Sequence, residues 1–218
     1  LVDEMKTIEP NHQPLTAIRN GVDLNLFQPS NNRDKLRKQL GIQKFTLLMV
    51  GNLVELKGHK LAIEALKQLP DTELIIIGAG PLETELKALT QKLILQDRVN
   101  FVGGLKQAEL PDYYAAADCY LLASSREGWA NVLLESMACG TPVVATKVWG
   151  TPEVVNKPEA GILIDRTVVN IVEGIKLFIS NNIDRKLTRK YAANYSWQGT
   201  SEALEQLYSK LINHSENT

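Results

Sequence analysis

Cysteine, histidine and aromatic residues are scarce in this chain of 218 residues: two Cys, three His and 6% aromatics. Cys119 and Cys139 stand in apolar surroundings with no C-x-x-C and no clustered histidine, which excludes a disulfide framework and predicts buried, reduced thiols. With only three histidines, unclustered in the sequence, a His-based metal site is not expected. Charge of either sign is not in excess, with 24 basic against 25 acidic side chains, which argues against nucleic acid as a partner. Long apolar runs are missing too. None approaches the roughly 18 residues that a membrane span needs, and the N-terminus lacks a basic-then-apolar signal pattern, so the expected compartment is the cytosol. There is no repeat and no linker rich in Gly, Ser or Pro, and 44% apolar residues exclude disordered and collagen-like classes. One domain with an ample core is expected. The first residue is Leu rather than Met, and the expectation is a fragment that lacks an N-terminal partner region.

What is present is a recurring unit of short apolar run, loop and amphipathic helix. Runs at 45–51, 73–77, 99–102, 119–122 and 142–145 show no polar alternation, as strands buried on both faces do. Between them lie helical patterns at 59–69, 82–93, 108–116 and 132–138. A sixth strand is expected at 161–164, then helices at 168–180, 183–191 and 199–212, the last with Leu204, Leu207, Tyr208 and Leu211 at helical spacing. The predicted fold class is α/β: a Rossmann-like parallel sheet of about six strands flanked by helices, with a core from about 14 to 195 and a C-terminal helical tail over 196–218. Ligands of such folds bind beyond the carboxyl ends of the strands, which directs attention to the strand-to-helix loops.

Gly78-Ala79-Gly80-Pro81-Leu82-Glu83 follows a strand and opens a helix, yet Glu83 stands where the third glycine of a dinucleotide fingerprint belongs. These glycines then serve the close approach of a ligand or of a neighbouring backbone. The stretch from Ser124 to Pro142 runs a small polar loop into a helix. Free amides at a helix start attract anions, and Gly128 removes a side chain that would hold a phosphate away. Glu127 and Glu135 are eight positions apart, about 12 Å of helical rise. That exceeds the roughly 5 to 9.5 Å of hydrolase carboxylate pairs and fits two carboxylates that hold separate parts of one elongated polar ligand. The bland alternative is a capping loop glutamate and a solvated surface glutamate. Trp197 is expected to anchor the last helix by burial, and His59 to start a helix. The basic run Arg185, Lys186, Arg189 and Lys190 is expected to be a solvated helix face that could also touch an anionic membrane surface or acceptor lipid.

In its context, S-x-E-G-x-x-x-x-x-L-E-x-M-A-C-G-T-P-V-V-A, the Glu127/Glu135 pair resembles the E-x7-E signature of group 1 retaining glycosyltransferases of the GT-B type. The run from Val50 to His59 is similar to that family's first loop, Asn20-Gly21-Val22-Asp23 with Phe27 and Pro29 to its N-G-V-D-x-x-x-F-x-P start, and Gly150-Thr151-Pro152-Glu153-Val154-Val155 to its G-G-x-P-E-V-V turn. The resemblance implies the C-terminal, nucleotide-sugar-binding domain of a two-domain enzyme, with the N-terminal acceptor domain as its missing partner.

By that resemblance Glu135 would accept the ribose hydroxyls, Glu127 and the amides of Gly128, Trp129, Ala130 and Asn131 would hold the transferred sugar and phosphate oxygens, and Lys57 would neutralise the diphosphate. Glu127 and Lys57 are the catalytic candidates. Asn52 stands where the family commonly has Arg and brings no charge. Backbone groups near Gly80 and after Val102 would meet the base, and Glu153 is a further candidate near the nucleotide or sugar. The implied donor is a UDP-, GDP- or ADP-sugar and the acceptor a glycan or lipid-linked sugar, with no cofactor; no D-x-D occurs to hold a bridging metal. The implied reaction retains anomeric configuration at the cytoplasm or its membrane face, and the isolated fragment is expected to turn over little. The alternatives are a nucleotide-sugar binding module without transfer and a GT-B-fold epimerase.

Overall fold

The computed structural model describes residues 16–215, the side chains of 211 and 213–215 excepted. Residues 14 and 15 of the expected core and the Leu211 side chain lie outside that set.

Helix α1 (Arg33–Gln39) precedes six parallel strands, β1 (Phe45–Val50), β2 (Thr72–Ile77), β3 (Val99–Gly103), β4 (Cys119–Leu122), β5 (Val143–Thr146) and β6 (Gly161–Ile164). Helices α2 (His59–Leu66), α3 (Glu83–Lys92), α4 (Leu110–Ala116), α5 (Asn131–Ala138), α6 (Thr151–Val154) and α7 (Val168–Asn181) join or follow them, and α8 (Arg185–Ala192) and α9 (Trp197–Ser215) complete the chain.

Each strand sends alternate residues to opposite faces of the sheet. Leu48, Ile75, Ile77, Tyr120, Leu122 and Val143 meet Tyr114 of α4, Leu133, Leu134 and Met137 of α5, and Tyr191 of α8. Leu47, Met49, Leu74, Ile76, Leu121 and Val144 meet Ile63 and Leu66 of α2, Leu86 of α3, and Ile171 and Ile175 of α7. Burial on both faces is the reason these runs lack polar alternation. Cys119 and Cys139 are buried free thiols, and burial pushes Cys139 up to about 12.

The strand order is β3-β2-β1-β4-β5-β6. The chain winds outward from β1 to β3, then crosses back to lay β4 on the other side of β1. Helices on the two sides of that reversal diverge, and the crevice between the loops after β1 and β4 is where such sheets take ligands.

Three expectations are corrected. The basic run is no solvated face. Arg185 donates to the carbonyls of Ala117 and Ala115, each at 2.8 Å, and Arg189 to those of Ala138 and Phe27 at 2.7 Å and Leu24 at 3.0 Å. Cations are favoured where helix carbonyls lack partners, and these two guanidiniums close the C-terminal ends of α4 and α5. Only Lys186 and Lys190 face outward. Trp197 is 46% exposed, because the anchor of the last helix is the segment before it. Val22 N–H donates to Tyr195 O at 2.7 Å, Val22 bridges Ser196, and the Tyr195 ring lies against Tyr191 and Trp129. The helix expected at 108–116 divides into a 3-10 turn at Gln107–Glu109 and α4, whose first turn holds Pro111.

Candidate functional site

The loop after β1 is pinned from two sides. Leu53 N–H donates to Ala79 O at 3.0 Å and Leu82 N–H to Leu53 O at 3.1 Å, an approach open only because Gly78 and Gly80 carry no Cβ: one at Gly78 would lie 1.9 Å from the Gly51 carbonyl oxygen. The sequence left a ligand or a neighbouring backbone as the reason for these glycines, and the neighbouring backbone is what they meet. On the other side Ser125 N–H donates to Leu56 O at 2.9 Å, and Arg166 joins Ala123 O at 2.9 Å to Glu55 O at 3.3 Å. The loop ends in a 3-10 turn, Glu55–Lys57, that Gly58 closes in the left-handed region.

So held, Lys57 reaches across the reversal. Its Nζ lies 2.6 Å from Glu127 Oε1, and the Ser124 hydroxyl donates to the same oxygen at 2.6 Å. The Lys57 and Glu127 side chains keep 25% and 12% of their surface, enough for a ligand to share them. Charge-assisted contacts of this kind fix a side chain's direction as well as its charge.

Beyond Glu127 the loop turns into α5. A Cβ on Gly128 would meet no protein atom, so the space before it is open. Ala130 is the N-cap and offers no side chain to the first amides; the Asn131 N–H, expected to meet the ligand, instead donates to Trp129 O at 3.0 Å, and the buried Asn131 Oδ1 has no partner. Two turns along, Glu135 Oε2 accepts a 2.8 Å hydrogen bond from the buried Tyr114 hydroxyl. Burial pushes the Glu135 carboxyl up, while hydrogen bonds from Tyr114 and Gln107 pull it down. The loop after β5 closes the far side, with Gly150 N–H on Glu127 O at 3.2 Å.

Lys57, Glu127, Gly128, Trp129, Ala130 and Asn131 therefore converge on one junction, with Glu135 on the same helix. Asn52 is exposed on the β1 loop, and Val102 lies near the end of β3, half-buried against the core. Gly80 packs on the Leu53 backbone. Glu153 is engaged elsewhere: Arg19 Nε donates to its Oε2 at 3.0 Å and Arg19 Nη2 pairs with the same oxygen. Trp129 Nε1 donates to Asn20 O at 3.1 Å, with the Arg19 guanidinium 5.3 Å from its ring centre. Sequence reasoning assigned no role to Ser124, Tyr114 or Arg19. Ser124 carried a local signal, three positions before Glu127; Tyr114 and Arg19 act across the fold and had none.

A strand-order reversal is where doubly wound parallel sheets take ligands, and here it is lined by a cation, a carboxylate and a helix start without a side-chain cap. Residues 32–195 match the family model described as glycosyl transferases group 1. The D-inositol 3-phosphate glycosyltransferase of Corynebacterium jeikeium (strain K411) is 33% identical over 211 residues, covering 88% of this chain and 50% of the relative. A GDP-mannose-dependent alpha-(1-6)-phosphatidylinositol monomannoside mannosyltransferase of Mycolicibacterium smegmatis is 33% identical over 165 residues, 70% of this chain and 43% of that protein. Among solved structures, sucrose-phosphate synthase from Thermosynechococcus elongatus superposes with a TM-score of 0.85 at 27% identity, over 98% of this chain and 57% of that one. Anabaena HepE in complex with UDP and glucose gives 0.80 at 27%, over 89% and 56%. The chain belongs to the group 1 glycosyltransferase family, and its sheet is that of one domain of the GT-B fold. It spans about half the length of the curated relatives it matches.

Proposed function

We propose that this chain is the donor-binding domain of a metal-independent, retaining glycosyltransferase that moves a sugar from a nucleoside diphosphate to a glycan or lipid-linked acceptor. The observation that carries the reading is the 2.6 Å Lys57–Glu127 pair at the strand-order reversal, next in sequence to Gly128, whose own Cβ position is open. Breaking the anomeric bond leaves negative charge on the departing diphosphate. A fixed cation and the amides at the start of α5 stabilise that charge as it develops, with no reorganisation at the moment of reaction. Lys57 is that cation. Glu127, oriented by Ser124 and Lys57, accepts hydrogen bonds from hydroxyls of the transferred sugar, and Glu135, oriented by Tyr114, accepts them from the ribose.

HepE, solved with UDP and with UDP-glucose, is a relative at 27% identity and supports a nucleotide-sugar donor. The metal-independent form rests on the absence of a D-x-D in the sequence. Among the described residues no helix is long and apolar enough to cross a membrane. Lys186 and Lys190 are what the basic run leaves for an anionic surface. Positioning the acceptor is a large share of such catalysis, so this chain alone binds donor and turns over little.

The test is calorimetric titration with UDP, GDP, ADP and their glucose and mannose conjugates, on the wild type and on Glu135→Ala and Lys57→Ala. The expected result is one diphosphate that binds without added metal and loses about tenfold or more in affinity, about 1.4 kcal/mol, in each variant. A folded chain that binds none of them overturns the proposal.

A further inference from the structure

Trp149 has no structural use that its surroundings reveal. It stands on the loop after β5 with a φ of 41°, in the left-handed region that suits glycine and that a β-carbon disfavours. Its side chain adds nothing to either core layer, and the residue is 68% exposed. A large indole held in solvent on an unfavourable backbone is a pairing that folding alone does not reward, and such positions gather at ligand sites.

Its place is specific. The next residue, Gly150, donates to the Glu127 carbonyl at 3.2 Å and lies so close to the loop that a Cβ there would sit 1.8 Å from the Gly128 carbonyl oxygen. Arg126, immediately before Glu127, places its guanidinium 5.5 Å from the Trp149 ring centre. In the sheet β4 lies between β1 and β5. The backbone that carries Trp149 is therefore set against the Glu127 loop from the β5 side, while Lys57 reaches Glu127 from the β1 side. On the donor-site reading, a sugar held at Glu127 would lie beside the loop whose β5 side carries Trp149.

An indole offers a flat, electron-rich face, and the C–H face of a pyranose is flat, apolar and slightly positive at hydrogen. The two stack, while the ring's hydroxyls remain free for Glu127. Arg126 covers one side of the indole by a cation–π contact and limits its rotation, so the other side is presented already oriented.

We propose that Trp149, held by Arg126, is the stacking platform for the transferred sugar and a determinant of which sugar this site accepts. The inference rests on the donor-site reading above. The experiment compares free diphosphate with sugar conjugate, for whichever of the UDP, GDP and ADP series binds, in the wild type and in Trp149→Gly, Trp149→Phe and Arg126→Gln. Glycine suits the backbone at this position, and an unchanged or higher melting temperature certifies the fold. In Trp149→Gly the Kd of the conjugate is expected to rise about threefold to tenfold while that of the free diphosphate stays constant. Trp149→Phe retains most of the preference and Arg126→Gln part of it. If Trp149→Gly leaves the ratio of the two Kd values unmoved, whether both shift or neither does, the platform is refuted and the donor site stands. If no member of any series binds the folded wild type, the donor site and the platform fall together.

Discussion

Gly58 and Gly41 share a backbone conformation, with φ of 71° and 70°, and differ in what surrounds them. A Cβ at Gly41, exposed after α1, would meet no atom within 4 Å. At Gly58 it would lie 2.2 Å from the Ala123 carbonyl oxygen and 3.0 Å from both the Ala123 carbonyl carbon and its Cβ. Gly41→Ala thus isolates the cost of the left-handed backbone, about 1 to 2 kcal/mol, less the roughly 0.4 to 1 kcal/mol returned by a stiffer unfolded chain. Gly58→Ala carries the same balance and adds a backbone clash that no side-chain rotation relieves. Ala123 is fully buried, and its carbonyl is held by Arg166 at 2.9 Å, so relief requires the β1 and β4 loops to part, an overpacking cost of about 1 to 3 kcal/mol. Urea unfolding followed by circular dichroism is expected to give a loss of about 1 kcal/mol for Gly41→Ala and about 2 to 4 kcal/mol for Gly58→Ala, with unchanged m-values. Equal losses would refute the reasoning, because they would mean that the two loops are not rigidly latched where Lys57 reaches Glu127.

Two further outcomes follow from side chains outside that latch. Glu135 has a carboxyl raised above its ordinary value of 4.5 by burial. Its folded form keeps a proton that its unfolded form releases, so between those two pKa values stability falls as pH rises. Melting temperatures from pH 4 upward should therefore show wild type losing stability relative to Glu135→Gln, and Tyr114→Phe, which removes a hydrogen bond to the carboxylate, should widen the pH window; parallel curves would contradict this. Arg189→Met removes three hydrogen bonds to carbonyls, including the one at the C-terminal end of α5, and should cost about 2 to 3 kcal/mol in urea unfolding. The exposed Lys186→Ala on the same helix should change stability by less than about 0.5 kcal/mol.

What the sequence disclosed and what it withheld divide along physical lines. Strands such as Thr72–Ile77 and Val143–Thr146 were legible because burial on both faces leaves a run with no polar break. The loops that carry Lys57 and Glu127 were legible because glycine and small polar residues mark strand-to-helix turns. Partners across the fold were not. Nothing local tells that Arg185 and Arg189 serve the carbonyl ends of α4 and α5, since a charge run on an amphipathic helix has the same pattern whether its face meets water or another helix's terminus. Tyr195 and Trp197 are two aromatic residues two positions apart, and the parallel bridge between Val22 and Ser196 accompanies the inward turn of the tyrosine. Nothing local tells that the Glu153 carboxylate pairs with Arg19, which is 134 positions away.

The bridge between Val22 and Ser196 has a mechanical consequence. The segment at residues 19–22 and the start of α9 are joined there, and Thr200 Oγ1 adds a 2.9 Å hydrogen bond to the Arg19 carbonyl. Asn20 also holds the indole of Trp129, the second residue after Glu127. A force applied to the incoming strand of chain or to the outgoing helix is therefore delivered to one spot, and that spot is the rim of the site. The segment at residues 19–22 and the start of α9 thus meet at one place, and that place also holds Trp129 beside Glu127.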